Sequence, residues 1–115
     1  MRNKVEDITQ YITGKCEMSP WESEFLRNLL KEHRPHKVLE IGVAAGATTA
    51  LIMNCLDQLE LDTKMYSVDL CTQYYRDSSR KTGYVLEDVK EHLGNFENHQ
   101  MLTGNVVSEY LEQIG

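Results

Sequence analysis

Basic charge, paired cysteines and long apolar runs are all scarce in this chain, and each scarcity closes off a class of function. Lys and Arg number 12 against 18 Asp and Glu, a net charge of −6, and no basic block is longer than Arg80-Lys81. A nucleic-acid surface needs clustered cations to displace counterions, so a broad interface of that kind is excluded and no nucleic-acid partner is expected. No apolar stretch approaches the length of a membrane span, so no membrane partner is expected either. The opening Met1-Arg2-Asn3-Lys4 lacks the apolar core of a signal peptide. The three cysteines, Cys16, Cys55 and Cys71, are odd in number, widely spaced and without a C-x-x-C, which suggests neither a disulfide framework nor a zinc site. Reduced thiols fit a cytoplasmic location. Histidines offer no metal pair: Pro35 breaks any helix between His33 and His36, while His92 and His99 stand alone and are expected at the surface. No metal is expected.

What is present is ordinary globular material. Hydrophobic residues make up 41% and charged residues 26%, the proportions of one domain or part of one. Val5, Ile8 and Ile12 share one face of a predicted helix over Asn3–Thr13, with Gly14 as its cap. Ser19, Pro20 and Glu22 form a capping box and first turn for a second helix, whose apolar stripe is Trp21, Phe25, Leu26, Leu29 and Leu30 and which Pro35 closes. Strands are predicted over Lys37–Ile41, Lys64–Val68 and Gln100–Thr103. Helices are predicted over Ala47–Gln58, Val85–Leu93 and around Val107, Tyr110, Leu111 and Ile114.

The densest signal is Val38-Leu39-Glu40-Ile41-Gly42-Val43-Ala44-Ala45-Gly46, followed by Ala47-Thr48-Thr49-Ala50-Leu51. An apolar strand ends in a carboxylate, a turn with two glycines follows, and a helix begins. In an open α/β sheet such a turn lies at the carboxyl end of a strand, where nucleotide-like ligands bind. Gly42 and Gly46 permit a tight turn and the close approach of a ligand. Glu40 would repel a pyrophosphate and attract an ammonium or sulfonium group. Ala44 occupies the place of the second glycine of the dinucleotide fingerprint, so that fingerprint is missed. Lys64-Met65-Tyr66-Ser67-Val68-Asp69 is a second strand ending in an acid, at about the twenty-residue interval that suits a ribose ligand. Asp69 could accept both ribose hydroxyls of either NAD or an adenosyl ligand.

Together these residues resemble the class I S-adenosylmethionine-dependent methyltransferases, whose first motif runs hydrophobic strand, acid, x-Gly-x-x-x-Gly, helix. Glu40, Gly42 and Gly46 match it, and Ala44 departs from the commoner middle glycine. Gln100-Met101-Leu102-Thr103-Gly104-Asn105 is similar to the family's third strand and turn, although a plain Gly-Asn turn explains that pair equally well. The resemblance implies an α/β fold, a Rossmann-like three-layer sandwich with a parallel sheet. The chain would supply strands one to three of a seven-stranded sheet ordered 3-2-1-4-5-7-6, preceded by two helices. It implies an N-terminal helical segment over 1–36 and a cofactor-binding half-domain over 37–115, incomplete at its C-terminal side. The implied cofactor is S-adenosyl-L-methionine, held by Glu40, Gly42, Val43, Ala44, Gly46, Thr48, Asp69, Leu70, Gly104 and Asn105, with Asp69 on the ribose and Glu40 near the methionine end.

The segment from Leu70 to Tyr84 lacks clear periodicity and reads as a long loop. It is either a lid, in which Tyr74, Tyr75 and Arg76 touch the adenine or a substrate, or a surface excursion with its tyrosines packed on the domain. No residue qualifies as a catalytic base. The leading expectation is a methyltransferase acting on a small molecule or sugar-containing metabolite, present here as its cofactor-binding part and inactive alone. A non-catalytic module that keeps the fold and an NAD-binding oxidoreductase are the other readings; Glu40 and Ala44 count against the last. With strand four absent, the edge of the first strand should be open, and self-association through that edge is expected.

Overall fold

A computed structural model describes residues 19–115; the predicted helix over Asn3–Thr13 and Cys16 lie outside the described residues. Helix α1 (Pro20–His33) starts as its capping box dictates: Ser19 Oγ accepts from the Glu22 N–H at 3.1 Å, and Glu22 Oε1 accepts from the Ser19 N–H at 3.0 Å. Arg34, left-handed at φ 43°, closes it by donating to the Leu30 carbonyl. Its apolar stripe divides. Leu30 is buried and Leu26 packs against the core, but Trp21 and Phe25 stack on each other in the open, with centroids 6.1 Å apart.

Strands β1 (Lys37–Ile41), β2 (Lys64–Asp69) and β5 (His99–Thr103) form a parallel sheet in the order β1-β2-β5. Its register sets Glu40 beside Ser67 and Asp69 beside Thr103. Parallel strands need crossovers, and these put helices on both faces. On one face lies helix α2 (Ala47–Gln58), in which nine residues are buried, together with α1 and helix α3 (Tyr84–Val89). Their core joins Met53, Leu56, Met65, Val85, Leu86 and Val89. On the other face Val68 and Leu102 meet Ile114 of the short helix α4 (Leu111–Ile114), with Tyr66, Val107 and Tyr110 around them. This second cluster is smaller, and Leu39 and Ile41 of β1, on the same face, remain 41% and 70% exposed.

The Leu70–Tyr84 segment is not a loop without structure. Strands β3 (Gln73–Tyr74) and β4 (Asp77–Lys81) pair antiparallel as a small hairpin. Every residue of β4 is exposed, so no alternation of apolar and polar residues marked it in the sequence. Asp77 Oδ1 accepts from both the N–H and the hydroxyl of Ser79, and the Thr82 N–H donates to the Thr72 carbonyl at the hairpin's base. The helix predicted over Val85–Leu93 is α-helical only to Val89 and continues as a 3₁₀ turn over Lys90–His92. The last predicted helix likewise begins as a 3₁₀ turn, Val107–Tyr110. No helix among the described residues is long and apolar enough to cross a membrane.

Candidate functional site

The carboxyl ends of β1 and β2 stand side by side, and the pairing runs one step past the strand, where the Gly42 N–H donates to the Val68 carbonyl at 2.8 Å. The chain then coils back into α2 through three left-handed residues: Gly42 (φ 94°), Ala44 (φ 54°) and Gly46 (φ 93°). Ala44, which stands where the resembled pattern more commonly has a glycine, adopts a left-handed conformation at a steric cost of about 1 kcal/mol. The two glycines serve different ends. A Cβ on Gly42 would meet nothing within 4 Å, so its freedom opens space above the turn. A Cβ on Gly46 would lie 2.9 Å from the Gly83 Cα, so its freedom lets α3 dock rather than a ligand approach. The Gly83 N–H donates to the Ala44 carbonyl and the Val85 N–H to the Ala45 carbonyl, fastening the turn to the start of α3.

Asp69 clamps the same turn from β2. Its Oδ2 accepts from the Val43 N–H at 2.8 Å and the Ala44 N–H at 3.1 Å, and its Oδ1 accepts from the Cys71 N–H at 2.9 Å. Burial raises its pKa, but these three backbone bonds outweigh burial and hold the carboxyl below its usual range. A carboxylate oxygen has two acceptor positions, so Oδ2 is filled and Oδ1 retains room for one hydroxyl rather than two.

Glu40 is the more enclosed acid. Its Oε1 accepts from Thr49 Oγ1 at 2.6 Å and from Ser67 Oγ at 2.8 Å. Burial pushes its pKa up, the two hydroxyls pull it down, the Asp69 charge adds to the rise, and the net shift is upward. No described residue donates to Oε2.

Seven of the sequence-predicted residues come together around one cavity of about 330 Å³: Glu40, Gly42, Val43, Ala44, Thr48, Asp69 and Tyr75. Gly42 and Asp69 also wall a second, largely apolar cavity of about 410 Å³, lined further by Ile41, Val68, Leu70, Asn105, Val106 and Val107. Leu70 and Asn105, both singled out in the sequence, thus line the second cavity. Gly104 lines neither cavity; its N–H donates to the Asp69 carbonyl and shapes the turn after β5. Of the three hairpin residues singled out, Tyr75 lines the first cavity, whereas Tyr74 packs against the core and the Tyr84 ring at 5.5 Å. The Arg76 guanidinium lies 5.1 Å from the Tyr75 ring centroid.

Sequence reasoning missed Thr49 and Ser67, the partners of Glu40, and Gly83, the counterpart of Gly46. Thr49 sits in the first turn of the helix that the glycine motif announces, and that position could have flagged it. His99 is not the surface residue expected. Its Nε2 lies 2.9 Å from Ser67 Oγ, and burial depresses its pKa to about 4 against the opposing pull of the Glu87 carboxylate. Among the described residues, no group of three or more His, Cys, Asp or Glu is placed to hold a metal ion.

No protein-family model and no curated protein matches the chain. Solved structures do. A Klebsiella pneumoniae protein assigned as an O-methyltransferase matches 96% of this chain at 15% identity and a TM-score of 0.61, over 47% of its own length. The O-methyltransferase TomG of Streptomyces achromogenes, involved in tomaymycin synthesis and solved with S-adenosylmethionine, matches 95% at 14% identity and a TM-score of 0.59, over 45% of its length. An O-methyltransferase from Bacillus cereus, solved with S-adenosylhomocysteine, matches 96% at 17% identity and a TM-score of 0.59, over 46% of its length. The chain spans less than half of each of these proteins, and at such identities the likeness is one of fold.

Proposed function

We propose that this chain, which has the Rossmann-like fold of the class I S-adenosylmethionine-dependent methyltransferases, is the cofactor-binding part of a methyltransferase acting on a small molecule or sugar-containing metabolite. The observation that carries the reading is the pair of cavities meeting at Gly42 and Asp69, one ringed by two carboxylates and the other apolar. Their chemistry fits S-adenosylmethionine. Asp69 Oδ1 can accept one ribose hydroxyl, and the apolar cavity beside Leu70, Asn105 and Val106 suits the adenine. Glu40 offers a negative charge to the cationic methionine end, and Gly42 leaves the turn open to the ligand. When bound, S-adenosylmethionine supplies an electrophilic methyl group.

The chain's own contribution is positioning, which is much of catalysis when an acceptor must lie in line with a leaving group. The turn is prevented from yielding by Asp69 on one side and Gly83 on the other. Tyr75, projecting from the hairpin to the cavity wall, is the described residue best placed to meet an acceptor. The O-methyltransferases that share the fold favour a hydroxyl acceptor. No cavity residue is assigned as the base that would take its proton, and this chain alone is expected to bind the cofactor without transferring a methyl group. Titration calorimetry with S-adenosylmethionine, S-adenosylhomocysteine and NADH tests the reading. Binding of the first two and silence from NADH supports it; binding of NADH alone overturns it in favour of the oxidoreductase reading.

The assembly reading draws on a separate observation. β1 pairs only with β2 among the described residues, and Leu39 and Ile41 stand exposed beside the edge that no described strand pairs. Such an edge is a template for another chain. Self-association there, as a symmetric dimer, is part of this proposal. Sedimentation at low micromolar concentration should show a dimer; a stable monomer would remove it.

A further inference from the structure

Glu40 is tied to the far side of the sheet by a run of side chains that the cofactor cavity alone does not require. The register pairs His99 with Met65 and Ser67 with Met101, so the His99 ring reaches diagonally along β2 to Ser67. Ser67 is wholly buried and contacts both His99 Nε2, at 2.9 Å, and Glu40 Oε1, at 2.8 Å. A hydroxyl has one hydrogen to give. With Glu40 ionised and able only to accept, that hydrogen goes to Oε1, and His99 must donate to Ser67 as the Nε2–H tautomer. The result is a one-way chain, His99 to Ser67 to Glu40, met at Oε1 by a second donor, Thr49 Oγ1, at 2.6 Å. Donors in series polarise one another, and in a buried site each strengthens the next.

We propose that His99 is a positioning residue for the cofactor site: through Ser67 it holds Glu40 as a carboxylate with Oε1 occupied and Oε2 left for the cationic end of the ligand. This rests on the reading of the Glu40 cavity as the S-adenosylmethionine site. The charged groups that act on the chain are few. Asp69 at the end of β2 opposes ionisation of Glu40, and Glu87 of α3 is the carboxylate felt by His99. Lys64 and Glu97 line the cavity of about 280 Å³ that His99 also borders. The burial that keeps the imidazole neutral fits this role, because a neutral ring can take the required tautomer without adding a charge beneath the site.

The test has one readout in the free protein and one with ligand. Carbon-13 titration of the Glu40 carboxyl should show its midpoint rising by about half a pH unit or more in His99→Leu. Ser67→Ala should move it the same way, and the double variant should move it no further. His99→Gln, which keeps a donor near the Nε2 position, should return it toward the parent value. Affinity for S-adenosylhomocysteine should fall about three- to tenfold in His99→Leu and Ser67→Ala at neutral pH, and more steeply as the pH is lowered. A Glu40 midpoint unchanged in His99→Leu, whatever Ser67→Ala does, would overturn the proposal, as would additive effects of the two changes. If His99→Leu fails to fold, His99→Phe, which also lacks the donor, decides it by the same midpoint. If the parent protein does not bind S-adenosylhomocysteine, the cofactor reading falls, while the titration of the free protein still decides whether the relay exists.

Discussion

The two turns that leave the carboxyl ends of β1 and β2 are built on opposite plans. The turn after β1 is made of backbone: three left-handed residues, N–H groups of Val43 and Ala44 held by Asp69, and carbonyls of Ala44 and Ala45 held by the start of α3. The segment after β2 is made of side chains: a hairpin whose Tyr74 leans on the core, whose Tyr75 borders the cavity, and whose Arg76 and Arg80 lie over tyrosine rings. The first plan fixes where a ligand sits, because backbone in these conformations has nowhere else to go. The second can change its chemistry one side chain at a time without disturbing the sheet. On the proposed reading the first plan supplies a constant cofactor site and the second a variable acceptor wall.

Four substitutions would break or sharpen this contrast. Gly46→Ala should do the most harm. It puts a Cβ at φ 93° and 2.9 Å from the Gly83 Cα, backbone against backbone, and should cost about 3 kcal/mol or more in a urea melt. Asp69→Ala comes next. It releases the Val43, Ala44 and Cys71 N–H groups and should cost about 1–3 kcal/mol in stability, with a similar loss in S-adenosylhomocysteine affinity. Because the folded chain lowers the Asp69 pKa, its contribution is present above the usual value of 3.8 and is lost as the pH falls through the depressed one. The stability gap between parent and variant should therefore close in acid.

Glu40→Gln should act in the opposite sense on stability. The folded chain raises the Glu40 pKa, so it binds that proton more tightly than the unfolded chain does. The carboxylate then costs stability above the raised value, and the cost fades as the pH falls through it toward the ordinary 4.5. Gln can still accept from Thr49 and Ser67, so the variant should be the more stable in a neutral melt, lose that gain in acid, and bind S-adenosylmethionine about tenfold more weakly. Tyr75→Ala should have the smallest effect. It removes a side chain that is 58% exposed from the cavity wall, together with its ring contacts to Tyr74 and Arg76, so stability should fall by about 1 kcal/mol at most while cofactor affinity drops about threefold.

The same contrast explains what could be read in the sequence. The turn after β1 was legible because left-handed backbone and a strand-end acid restrict residue type, and Glu40, Gly42 and Gly46 record those restrictions directly. The helix caps at Ser19 and Glu22 were legible for the same reason. The hairpin was not, because β4 is solvated on both faces and leaves no period in the sequence. Ser67 and His99 escaped because their meaning depends on which residues the register brings together, a long-range fact that no local pattern carries. Gly83 escaped because its partner, Gly46, lies across a crossover. The predicted stripe on α1 was half right, since only its Leu26 and Leu30 side meets the core.

The central claim, that the cavities meeting at Gly42 and Asp69 hold S-adenosylmethionine, is tested most directly by following backbone amide resonances while S-adenosylhomocysteine is added. The account predicts saturable shifts concentrated at Gly42, Val43, Ala44, Asp69, Leu70 and Asn105, with little change at Lys64, Glu97 and Gln100 at the opposite end of the sheet. Shifts confined to that opposite end, or none at millimolar ligand, would contradict it.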